Sequence, residues 1–259
     1  MIARGVLSGA IGALLAFLCA RPCAEPVIGR AIAFEDGRTD AENAHGVHEH
    51  GAELFTREVQ ANAGLGFGVL IFGVAMGAPF AVLFCVAAPR ARGVGTRGLS
   101  VLLAAAAFGA VYLVPFVKYP PNPPAVGQSD TIGARTGWYL VLLLASVVLA
   151  IAAVWLARRL ATRVGRWNGS LVAAGAYLVA TAVVAVLLPS VDETPGPLRD
   201  NSGAIVYPGF PADVLYEFRL LSLATQLVLW ATIGLVFATL AGRLLGERPS
   251  AGRAVSDAV

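Results

Sequence analysis

The chain has 259 residues, of which 57% are hydrophobic and only 14% charged, and its mean hydropathy is +0.73. A soluble domain usually carries about a quarter of its residues as charges, so this composition excludes an ordinary water-soluble fold and points to one solvated by lipid. The net charge of +3 implies neither nucleic acid nor nucleotide as a partner, because the basic residues gather in every second loop, where they set topology and meet lipid headgroups.

Six uncharged runs divide the sequence. They lie between Arg4 and Arg21, Glu58 and Arg90, Arg97 and Lys118, Arg135 and Arg158, Arg166 and Asp192, and Arg219 and Arg243, and hold 16, 31, 20, 22, 25 and 23 residues. A helix needs roughly 20 apolar residues to cross the hydrocarbon core. Long, non-alternating runs exclude a barrel, so the predicted fold is all-α: a polytopic membrane bundle of six transmembrane helices. The spans fall at about 5–22, 61–88, 98–117, 137–157, 169–189 and 220–242, in a single membrane domain covering 1–259. The first run also fits the core of a signal peptide, with small residues near Cys23 and Ala24 as a cleavage region, which would leave five helices in the same orientation.

Charge orients the bundle. One set of alternate segments holds 11 basic and 2 acidic residues, net +9, and the other holds 8 basic and 14 acidic, net −6. Short basic loops stay in the cytoplasm. The expected protein is therefore a multi-pass protein of the inner (plasma) membrane with both termini cytoplasmic. Its outer loops are 23–60, 118–136 and 190–219, and residues 243–259 form a disordered cytoplasmic tail.

The first outer loop contains EDGRTDAENAHGVHEHGAE and with it all three histidines, His45, His48 and His50. Imidazoles spaced three and two apart, with Glu49 and Glu53 beside them, supply borderline nitrogen and hard oxygen ligands suited to a divalent first-row metal. The bland reading is a hydrated acidic loop with incidental histidines. In the second span, Gly64 with Gly68 and Gly73 with Gly77 have the spacing that lets helices approach closely. The second outer loop, VPFVKYPPNPPAVGQSD, places five prolines between Pro115 and Pro124 and should form a stiff cap. Cys19, Cys23 and Cys85 read as small apolar helix residues.

In the last span Arg219, Ser222 and Gln226 recur at three and four residues, with Thr225 beside them, and so share a helical face. Polar groups in a span face the bundle or a wet pathway. Helix packing and a transport route are both open for these four. No phosphate-binding G-x-x-x-x-G-K-[ST] loop and no intramembrane Ser/His or His-Glu-x-x-His pattern occurs, which argues against an ATPase and against an enzyme generally.

KYPPNPPAVG, from Lys118 to Gly127, and FPADVLYEFRLLSLATQLVLWATIGLVF, from Phe210 to Phe237, resemble the hallmark stretches of the CbtA family of cobalt transporter subunits. The resemblance covers nearly the whole chain. It implies a membrane subunit for uptake of a divalent metal, cobalt, with no permanently bound cofactor and with a small CbtB-type partner that has one span and a His-rich tail. The competing expectation is a non-transporting accessory that buffers metal for such a partner.

Overall fold

The computed structural model describes residues 1–44, 65–91 and 93–245. In chain order the elements are α1 (Ile2–Ala44), α2 (Leu65–Ala87), α3 (Thr96–Ala107), a π-helical segment (Phe108–Leu113), α4 (Val114–Lys118), α5 (Ile132–Val164), α6 (Arg166–Leu187), strands β1 (Leu198–Arg199) and β2 (Ile205–Tyr207), and α7 (Ala212–Leu244). Among the described residues, six helical stretches are long and apolar enough to cross a membrane: Ile2–Ala44, Gly66–Arg90, Thr96–Lys118, Ile132–Val164, Arg166–Leu187 and Ala212–Leu244. This is the all-α, multi-pass membrane architecture expected from the charge pattern. Among the described residues the one β feature is the short antiparallel β1–β2 ribbon.

Apolar surface explains why such helices need lipid. On α5 the stripe Leu144, Val148, Ile151 and Trp155 is about 60% exposed throughout. In water each such side chain would forgo about 1.5–3 kcal/mol of burial. Hydrocarbon removes that penalty.

Helix α1 runs well past the expected end of the first span and continues through Pro22 and Pro26 to Ala44. An internal proline costs about 3 kcal/mol by removing an N–H donor and crowding the preceding turn. Here Val27, Ala31 and Phe34, at four and three residues, are buried in one cluster with Val126, Phe210 and Val214. Burying a Val and a Phe returns a comparable amount, and Arg30 ion-pairs with Asp213 at 3.5 Å and with Glu217. Tertiary burial together with the ion pairs thus offsets the local helix-breaking signal of the two prolines. Cys19 and Cys23 lie in this unbroken helix as exposed free thiols.

The described residues fall into two compact units. In the first (1–21, 65–91, 93–107 and 224–245), α1 and α2 meet through glycines: a Cβ on Gly77 would strike the Gly5 carbonyl, and one on Gly73 would strike Gly9 O at 2.6 Å. Only glycine permits that approach. Phe80 and Phe84 of α2 pack edge-on against Phe237 of α7, with centroids 5.3 and 5.0 Å apart. Ser100 of α3, fully buried, donates to the Gly234 carbonyl of α7 at 2.7 Å.

The second unit (22–44 and 108–223) contains the α5–α6 hairpin. Gly165 alone separates the two helices, at φ +84°, a left-handed conformation that favours glycine. A Cβ on Gly169 would meet the α5 backbone at Ala161 N, 3.0 Å away, and Ser146 and Tyr177 share a hydrogen bond of 2.8 Å across the pair.

Candidate functional site

Within the second unit the proline-rich segment is a pinned cap. Tyr119, buried, donates its hydroxyl to the Pro189 carbonyl at 2.7 Å, and Lys118 donates to Ser190 Oγ at 2.9 Å. Pro123 and Val126 are also buried. Ala125 takes φ +67°, and Gly127 follows at +143°, where a Cβ would crowd Arg135 Nη1 at 3.1 Å. Both the turn and the close approach of the guanidinium call for glycine at 127.

Glu193 fastens this cap to the start of α5. Its side chain is 5% exposed and accepts from Arg135 Nη1 at 2.7 Å, from the Gln128 backbone N–H at 3.2 Å and from the Thr131 hydroxyl. A buried carboxylate needs such partners to stay charged. Its neighbour Asp192 is held below the usual carboxylate range, first by the backbone N–H of Thr194, 3.2 Å from Oδ1, with the Thr194 side chain and the charge of Arg219 acting in the same direction.

Between these elements lies a cavity of ≈ 320 Å³, at the lower end of the size of small-molecule sites. Tyr112 and Phe116 form one wall, Tyr119 to Asn122 another, and Arg135, Thr136 and Tyr139 of α5 a third, with Val191 and Arg219 completing it. Tyr112 comes from the π-helical segment, a wide turn often found where a helix presents a functional side chain. Its ring continues a stack with Phe108 and Phe116, at 6.0 and 5.6 Å, and its hydroxyl is buried without a hydrogen bond to any described residue. Arg219 donates from Nη2 to Asn122 Oδ1 at 3.0 Å, while its buried Nε has no partner among the described residues.

A family model described as "Probable cobalt transporter subunit (CbtA)" matches residues 1–242. The chain belongs to this family. No curated protein and no solved structure matches it. The family relation makes this a transporter subunit by class and gives no support to an enzyme. The match runs from α1 to residue 242 in the last turn of α7 and takes in every wall of the cavity.

The residues singled out from the CbtA-like sequence have different fates. His45, His48, His50, Glu49 and Glu53 lie outside the described residues; among those described, no group of three or more His, Cys, Asp or Glu side chains is placed to hold a metal. Arg219 lines the cavity. Ser222 turns its hydroxyl back to the Phe218 carbonyl at 2.8 Å, which satisfies it within its own helix. Gln226, in the first unit, has Oε1 buried without a partner among the described residues, as does Nε1 of Trp230 one turn further on. Thr225 has a partner of its own. Sequence reasoning missed Arg135, Glu193, Tyr112 and Tyr139. The signal for the first two was faint: a basic residue at the start of one span and an acidic one just beyond another.

Proposed function

We propose that this chain is the membrane-embedded subunit of a divalent-metal uptake system whose substrate is cobalt, working with a small CbtB-type subunit of one span and hydrolysing no nucleotide itself. The family match over residues 1–242 carries the reading. In this orientation both termini and the turn with Arg158, Arg159, Arg163 and Arg166 are cytoplasmic, and the proline-rich loop and the His segment face outward. His45, His48 and His50, with Glu49 and Glu53, capture the ion loosely enough to release it, since an open His/carboxylate set on a loop favours exchange over retention.

Energy is not an obstacle. A dication moving down the membrane potential gains ~4.6 kcal/mol per 100 mV, enough for roughly a thousandfold accumulation without an ATPase. Of the four polar residues on α7, Gln226 is the one on which passage rests: Ser222 is satisfied by its own backbone, and Arg219 is held by Asn122. The uncharged runs contain no Asp, Glu or His, and that favours a route shared with the partner subunit over one built by this chain alone.

The same absence gives the second reading its footing, that of an accessory which buffers metal at the membrane without passing it. Accumulation of radioactive cobalt in cells carrying this chain, with and without the partner, separates the two. Uptake that rises with the pair supports transport, and surface-bound cobalt with no internal rise supports the accessory. Orientation is tested with a cysteine placed at 163: labelling by an impermeant reagent in whole cells would overturn it.

A further inference from the structure

The cavity in the second unit has the wrong chemistry for a bare metal ion. Its walls carry two guanidiniums, those of Arg135 and Arg219, and no Asp, Glu or His. Arg135 is matched by Glu193, whose oxygens already accept three donors. Arg219 forms no ion pair among the described residues; its one hydrogen bond is to Asn122, and Asp192 acts on it only through space. What the cavity presents is therefore a net set of donors. These are the remaining guanidinium N–H groups, the Tyr112 hydroxyl with no partner among the described residues, and the Asn122 amide, whose oxygen is committed to Arg219 and whose NH₂ is left to donate.

We propose that this cavity is an oxyanion site that takes a small carboxylate or a phosphate, with Arg219 as its principal ligand. A planar guanidinium pairs with two oxygens of such a group at once, and aromatic walls that thin the surrounding water strengthen the bond. At ≈ 320 Å³ the space holds a free anion such as citrate or phosphate, or the phosphate of a lipid headgroup. The same donors serve each source. The site does not rest on cobalt passage, since anion binding is read on the isolated protein and uptake is read in cells, so failure of one leaves the other standing.

The full chain, purified in dodecyl maltoside without phosphate, is melted in increasing citrate, in inorganic phosphate, and in mixed micelles with phosphatidylglycerol. A saturable rise in melting temperature is expected, with apparent affinity falling by about tenfold or more in Arg219→Gln and partly retained in Arg219→Lys. Arg159→Gln, whose guanidinium lies over the Trp155 ring instead, should bind as wild type. Response to citrate or phosphate identifies a free anion, and response to phosphatidylglycerol alone identifies a lipid headgroup. Should Arg219→Gln fail to fold, Tyr112→Phe, which removes only a hydroxyl, is expected to weaken binding severalfold. No saturable response to any of the three, or equal responses in wild type and the Arg219 and Tyr112 variants, overturns the site.

Discussion

Replacing Glu193 by Gln tests whether the proline-rich cap is held from below by a charge. The change keeps the shape and one carbonyl acceptor but removes the negative charge facing Arg135 Nη1 at 2.7 Å. Breaking a fully buried ion pair costs about 3–5 kcal/mol, whereas an exposed pair contributes about 0–1. Here one partner is 5% exposed and the other 30%, so Arg135 recovers some hydration and the loss should be about 2 kcal/mol. For a chain of this size that corresponds to a fall in melting temperature of roughly 4–8 °C. Tryptophan fluorescence in detergent can follow it, with Trp138 one turn along α5 from Arg135. Arg135→Gln should cost a similar amount, and the double variant little more than either, giving a coupling of about 1–2 kcal/mol. Strictly additive effects, or a wild-type melting temperature in Glu193→Gln, would show that the pair does not hold the cap.

Gly77→Leu should abolish accumulation of folded protein, because even its Cβ would meet Gly9 Cα at 3.1 Å and the Gly5 carbonyl carbon at 2.9 Å, whereas Gly68→Leu, with nothing within 4 Å, should express normally; immunoblots and size-exclusion profiles compare them. Gln226→Leu should leave protein level intact and sharply lower cobalt uptake, since a packing role alone would cost at most ~1 kcal/mol; normal uptake would reduce the residue to helix packing. Joint replacement of His45, His48 and His50 by Ala should depress uptake when cobalt is scarce and spare it when cobalt is plentiful. In the unaltered chain capture should weaken as pH falls through about 6, because only neutral imidazole binds metal. Asp192 has a folded carboxyl lowered from the usual 3.8, so its contribution to stability is present above that value and lost as pH falls through the lower folded one. Asp192→Asn should therefore melt slightly earlier than wild type at pH 6 and together with it in strong acid.

The helices were legible because hydrocarbon imposes a length and forbids charge, and both constraints are written along a single run such as 136–157. Their ends were less so. Pro22 and Pro26 read as breakers, yet α1 passes through them because Phe34 finds Phe210 and Tyr207, with ring centroids 4.9 and 5.3 Å away. Such a pairing joins residues more than 170 positions apart and leaves no local mark. The glycines show the same divide: Gly73 and Gly77 announced a close approach, but their partners Gly5 and Gly9, with the same spacing, were passed over. Of the cavity, Arg219 and the prolines stood out by type. Tyr112 and Tyr139 look like ordinary interfacial aromatics until a π-helical turn and α5 bring them to the same cavity.

The α5–α6 hairpin bears on how the protein is made. With Gly165 alone at its tip, and with Gly169 and the Ser146–Tyr177 hydrogen bond joining its arms, nearly all the packing of α6 is already present once residue 187 has left the ribosome. Neither polar group at the 146–177 contact has to wait in hydrocarbon for a distant partner, so the two helices can leave the translocon side by side as one piece. In the orientation proposed above, the guanidiniums at 158, 159, 163 and 166 hold the tip of that piece in the cytoplasm while its arms enter the bilayer.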